Sequence, residues 1–421
     1  MPLEAVLETP PLALYVHLPW CVRKCPYCDF NSYTLHGALE ERSYVAALQR
    51  DLAAQAPQAA GREVSSIFFG GGTPSLFSPR AIAQILESAR THLTLAADLE
   101  VTLEANPGTI ERGRFAEYRA AGVNRVSLGA QSFDDARLES LGRIHCAEET
   151  RRAAAELHAA GMADFNIDLM YGLPGQDADA ARRDVEEALA LRPTHLSHYQ
   201  LTIEAGTVFA GRPPNLPDDE VVDVMLDVCR ERLEQTGFAQ YEVSAYAVAG
   251  RRCRHNLNYW SFGDYLGIGA GAHGKLSLAD QGQVIRTSQV REPRRYLSSV
   301  ERGTLTRTPV PAHQLPFEFM LNALRLVEGF EVRTFTGRTG LPWETVAGKM
   351  ADLAGEGLIA SSGTWYRPSP RGLRFLNDVL LRFVTEIPRA DGQSELSTAR
   401  QPAAALAERA LFTGTGGGNV K

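Results

Sequence analysis

Six short apolar runs, each closing on glycine or polar residues, constrain this chain more than any other feature. They are Leu12–Leu18, Val64–Phe69, Leu99–Leu103, Val123–Leu128, Phe165–Met170 and His195–Leu201. Apolar residues at helical spacing fall between them, at 40–56, from about Pro79, and at 109–121, 147–160 and 177–191. Strands alternating with helices predict an α/β fold, a parallel sheet with right-handed crossovers. In such sheets and barrels the chemistry gathers beyond the C-terminal ends of the strands. The unusual motifs of this half of the chain fall there.

The first run delivers Trp20-Cys-Val-Arg-Lys-Cys-Pro-Tyr-Cys28. Cys21, Cys25 and Cys28 are spaced C-x3-C-x2-C, and three thiolates on one loop can hold three corners of a [4Fe–4S] cube with one iron left open. A structural zinc site takes four ligands, and His17, set in an apolar run, is the candidate for a fourth. A disulfide framework is not expected in a chain long enough to build its own core. The second run ends in Gly70-Gly-Gly-Thr-Pro74, where glycines let backbone approach a ligand closely. Glu104, Gln131, Arg143 and Asp168 lie on or just after successive strand ends, where polar side chains can converge on a ribose, an amino-acid carboxylate and a base edge. Surface ion pairing is the plainer use of each.

Composition narrows the classes. With 44% hydrophobic and 22% charged residues, 421 residues read as two or three globular domains. A net charge of −7 gives no electrostatic case for nucleic acid. There is no signal-peptide pattern and no apolar run long enough to span a membrane, and the clustered cysteines fit a reducing compartment, so a cytoplasmic protein is expected.

The cysteine loop with the glycine motif some forty residues later resembles the radical S-adenosylmethionine (SAM) superfamily. That resemblance implies a partial (β/α)6 barrel, open on one side, with SAM bound at the open iron and cleaved to a deoxyadenosyl radical. Tyr15, Glu104 in Glu-x-Asn-Pro, Gln131 in Gly-x-Gln-Ser, Arg143 in Gly-Arg-x-His and Asp168 in Asn-x-Asp match the SAM-holding positions of the HemN/HemW family. Gly71, Gly72 and Thr73 match its SAM amino-group motif. Two branches need separating. The oxygen-independent coproporphyrinogen III dehydrogenases carry a fourth cysteine, where this sequence has Phe30, and an N-terminal extension that is not expected here, with about a dozen residues ahead of the first strand. The HemW-type heme chaperones carry C-x3-C-x2-C-x-F and a distal H-N-x-x-Y-W, which His255-Asn-Leu-Asn-Tyr-Trp260 matches at each fixed position. The resemblance to that branch implies heme delivered to acceptor hemoproteins, with His255 as axial ligand and Tyr259 against the porphyrin, an electron donor such as a flavodoxin or ferredoxin, and at most transient membrane contact. A neutral imidazole suits heme iron. A backbone-bridging His255 among core aromatics is the plainer alternative. Coproporphyrinogen dehydrogenation, or radical chemistry on another substrate, are the enzymatic alternatives.

Residues 1–275 are expected to form the barrel and the heme-motif region, and 293–386 a small α+β domain. In the latter, helices at 313–327 and 342–356, a hairpin (358–360 with 365–367) and a last helix from Gly372 resemble a winged helix, without the basic stripe that DNA binding requires. Residues 387–421, Ala/Gly/Ser/Gln-rich, are expected to be a disordered tail.

Overall fold

The computed structural model describes residues 6–108 and 114–384. The expected tail, 387–421, and the start of the helical stretch at 109–121 lie outside them.

The six expected strands form, at β1 (Leu12–Leu18), β2 (Glu63–Gly71), β3 (Thr94–Ala105), β4 (Arg125–Gln131), β5 (Phe165–Tyr171) and β6 (His195–Gln200). They lie side by side in chain order, and each neighbouring pair is parallel. Helices Glu41–Gln55, Pro79–His92, Phe115–Ala121, Ala147–Ala159 and Ala178–Ala190 make the crossovers. Their starts are written locally. Ser78 accepts the Ala81 N–H ahead of a first-turn proline, and Asp177 accepts the Ala180 N–H.

Strand alternation separates two environments. Leu12, Leu14, Val16 and Leu18 of β1, Ile67 and Phe69 of β2, and Ile167 and Leu169 of β5 join the helices in the main apolar core. The residues between them, such as Tyr15, Phe68, Asp168 and Ser197, face the hollow of the sheet. The sheet does not close on itself and runs on past both edges of the six strands. Asp264–Ile268 pairs in parallel with β1, and His273–Leu278, Gln283–Ser288 and Thr306–Pro309 follow antiparallel. Beyond β6 come Ala245–Ala247 and Ala239–Glu242. The stretch 242–274, which shows no periodicity, thus supplies short strands and a helix, Arg254–Trp260.

A second apolar cluster gathers Phe319, Met320, Phe335, Met350, Leu353 and Val379. Here helices Leu315–Ala323 and Glu344–Gly355 and the expected hairpin, Ile359–Ser362 with Trp365–Pro368, form as the winged-helix pattern predicts, and Phe330–Glu331 adds a third strand. Helix Val332–Thr339 was not expected; its Thr, Arg and Gly content hides the period, and burial of Phe335 holds it.

Candidate functional site

The hollow of the barrel is one chamber of about 530 Å³. Each residue singled out in the sequence lines it: Tyr15, Cys21, Cys25, Cys28, Gly71, Gly72, Thr73, Glu104, Gln131, Arg143, Asp168, His255 and Tyr259. Strand ends set the upper rim, and helix Arg254–Trp260 plugs the opposite end.

At the rim, the cysteine loop and the glycine loop are laced together. Gly72 N–H donates to the Leu18 carbonyl at 2.9 Å, and Thr73 N–H to the Trp20 carbonyl at 2.7 Å. The glycines are sterically required. Gly71 has φ +121°, and a Cβ on Gly72 would lie 2.6 Å from the Trp20 carbonyl oxygen. Gly71 N–H donates to Glu104 Oε2 at 3.2 Å. With these N–H groups taken, the loop has carbonyls to offer, the right polarity for an ammonium group. The three cysteines carry free thiols. Burial pushes Cys21 up to about 11, against a hydrogen bond with Thr73, and raises Cys28. Among the described residues no group of three or more His, Cys, Asp or Glu converges on a point where a single metal ion would sit. A cube takes three thiolates on three different irons, and Cys21, Cys25 and Cys28 supply three from one loop at the chamber wall.

Below the rim are two half-buried carboxyls, Glu104 and Asp168. Burial, with Asp168 nearby, pushes Glu104 up to about 8, while the Gly71 N–H opposes the shift. Burial also raises Asp168, although it accepts from Asn166 Nδ2 (2.8 Å), Ser127 Oγ (3.0 Å) and Tyr199 Oη (3.2 Å). Two carboxyls that resist ionising together are a receptor for a cation, since a positive ligand relieves both penalties. Gln131 sits at φ +70°, an uncommon backbone state for a residue with a side chain. Its amide, Asn106 and Arg143 all converge within 3.4 Å of where a Cβ on Gly129 would be. Two carboxyls and a guanidinium lining one chamber carry charges complementary to those of SAM.

At the opposite end, Glu100 accepts the Arg254 and His255 N–H groups, both at 3.1 Å, and so caps the plug helix. His255 Nδ1 meets Ser66 Oγ at 3.0 Å, and its Nε2 has no partner. Burial lowers its pKa to about 3, so the ring is neutral at physiological pH. Phe68 stacks on it at 4.9 Å and Tyr259 stands edge-on at 4.8 Å, with Tyr15 6.4 Å away. A neutral imidazole with an orphaned nitrogen has the donor chemistry of an axial ligand to heme iron. The ring is only 1% exposed, so the aromatic wall must part first. Trp260 points elsewhere, outside the chamber and under the Arg325 guanidinium at 4.2 Å. His195 and His273 line the chamber; His198 stacks outside it on Tyr171.

Phe68, Arg125, Ser127, Asn166, Ser197 and Tyr199 also line the chamber and were not singled out from sequence. For three of them the signal was there: Arg125 and Ser127 lie six and four residues before Gln131, and Asn166 two before Asp168, on their own strands.

Residues 15–188 match the radical SAM superfamily, and 310–375 match the HemN C-terminal domain. Heme chaperone HemW of Escherichia coli is 45% identical over 90% of this chain and 100% of its own length. HemW of Haemophilus influenzae is 44% identical over 90% and 99%. The mitochondrial radical S-adenosyl methionine domain-containing protein 1 of Bos taurus is 37% identical over 90% and 88%. In fold, the chain matches coproporphyrinogen III oxidase (HemN) of Escherichia coli with a TM-score of 0.75 at 23% identity, over 89% of this chain and 90% of that one. With relatives of this identity spanned from end to end, the chain belongs to the HemW family of the radical SAM superfamily.

Proposed function

We propose that this protein is a heme chaperone, holding heme in its barrel and delivering it to acceptor hemoproteins. One observation carries the reading: the orphaned Nε2 of a neutral His255 in the wall of the chamber. The HemW relatives bear the name heme chaperone, which supports it.

Cys21, Cys25 and Cys28 are the ligands for a [4Fe–4S] cluster. Because burial raises two of these thiols, assembly must release protons and tightens with pH. The carbonyls of Gly71, Gly72 and Thr73 receive the SAM ammonium, Glu104 and Asp168 offset its positive charges and hold its ribose, and Arg143 and Gln131 meet its carboxylate end. Tyr15 packs between this group and His255. The cofactor pair supplies one-electron reductive chemistry at a sulfonium, and the chain supplies orientation and exclusion of water. Heme, as cargo, takes His255 as axial ligand, with Tyr259 and Phe68 against its face. Nε2 is enclosed, so loading requires the plug helix or Phe68 to shift. A donor of the flavodoxin or ferredoxin kind and a cytoplasmic setting belong to the same reading. No helix among the described residues is long and apolar enough to cross a membrane. The division into 1–275 and 293–386 is part of the proposal; the second apolar cluster draws mostly on residues 315–383 but also takes in Leu7, Phe262 and Val284, and Tyr296 packs in the main core.

The test is transfer. Heme-loaded wild type mixed with an apo-hemoprotein is expected to pass its heme on, and coproporphyrinogen III is expected to remain unconverted under reducing conditions with SAM. Vinyl product formed from coproporphyrinogen III would instead establish the dehydrogenase.

A further inference from the structure

Of the three cluster-loop thiols, Cys25 is the one that a guanidinium touches, while Lys24, whose charge also acts on Cys28, donates from its ammonium to the Phe30 and Ser32 carbonyls. Arg143 Nη1 donates to Cys25 Sγ at 3.6 Å. Cys28 faces the neutral Ser32 hydroxyl at 3.7 Å, and Cys21 lies against that of Thr73. The guanidinium is fixed there independently of any ligand. Nη2 donates to the Gly129 carbonyl at 2.8 Å and to Asn106 Oδ1, and Asn106 Nδ2 is itself tied to Thr73 Oγ1 at 2.9 Å. The Tyr27 hydroxyl joins the group, against both Cys25 and Arg143.

Reduction adds a negative charge to a cluster, so a fixed cation and hydrogen-bond donors at one of its sulfurs favour the reduced form. We propose that Arg143, with Tyr27, is a positioning residue that acts through Cys25 to raise the reduction potential of the cluster, beyond any contact it makes with SAM. The proposal rests on the reading that the three cysteines carry the cluster. A cluster that is easier to reduce is a weaker reductant of a bound sulfonium.

The experiment is a potentiometric titration of the reconstituted protein without SAM, followed by the electron paramagnetic resonance signal of the reduced cluster, in wild type, Arg143→Met and Arg143→Lys. Arg143→Met is expected to shift the reduction equilibrium at least tenfold toward the oxidised form, about 59 mV for one electron. Arg143→Lys, which keeps the charge, is expected to recover at least half of that shift. An unchanged midpoint in Arg143→Met, with weakened binding of S-adenosylhomocysteine, would overturn the proposal and leave Arg143 a cofactor-binding residue alone. If Arg143→Met assembles no cluster, Tyr27→Phe is read the same way: a lower midpoint supports the proposal, and an unchanged one contradicts it. A wild-type chain that assembles no cluster after reconstitution would remove the cluster reading itself, and the proposal with it.

Discussion

Glu104 carries its consequences in its protonation. Its carboxyl is pushed up to about 8, chiefly by burial, so between pH 5 and 8 the folded chain keeps a proton that the unfolded chain releases. Stability of the ligand-free protein therefore falls as pH rises through that window and levels off above it. Glu104→Gln is expected to remove a share of that fall on the order of 1–3 kcal/mol, read by urea denaturation at pH 5.5 and 8.5; parallel pH profiles in the two proteins would contradict it. In wild type, affinity for the cationic cofactor should rise through pH 8, because the carboxylate must be ionised to receive it. Gly72 is the steric counterpart. Gly72→Ala forces a Cβ onto the Trp20 carbonyl and should cost about 2 kcal/mol or more in urea denaturation, loosening the glycine loop from the cysteine loop. At this scale the sequence singled out residues that the fold gathers in one chamber, the three thiols and His255 among them. It was less so where position alone decides: Arg125 and Asn166 look like ordinary strand residues until the alternation of β4 and β5 turns them inward. Gly129 reads as a strand end, yet β4 continues to Gln131, which takes its positive φ where the register against β5 shifts.

Helix Arg254–Trp260 is the element on which the account turns. Its seven residues have little helical stability of their own, and non-local contacts place it: the Glu100 cap, Ser66 on His255, and Arg325 over Trp260. The motif was legible in the sequence, but its place as the barrel plug was not, because those partners lie 65 to 189 residues away, Arg325 from Trp260 and Ser66 from His255. Arg325 also pairs with Glu242, which is 2% exposed, at 3.1 Å, joining the C-terminal unit to the barrel edge. Arg325→Ala leaves that carboxylate buried without its cation and should cost about 3 kcal/mol. Hydrogen exchange over residues 254–260 is expected to rise and heme association to quicken as the plug loosens. Unchanged exchange there would show that the clamp does not hold the helix.

Across the whole molecule, alternating β and α runs predicted the parallel sheet because each unit buries its own apolar face locally. The sheet extensions at both edges escaped that reading because strands of three to six residues, such as Ala245–Ala247 and His273–Leu278, are fixed by the neighbours they pair with. Those extensions, with the plug helix, turn an open barrel into a chamber walled on its lower side, and they bring His255 into the same space as Cys21, Cys25 and Cys28. Absorbance titration of heme into the anaerobically reconstituted protein, beside His255→Ala, tests this most directly. The account predicts saturable one-to-one binding whose spectrum changes, and whose affinity falls at least tenfold, in the variant. Binding that is indifferent to His255, or no specific binding by the wild type, would contradict it.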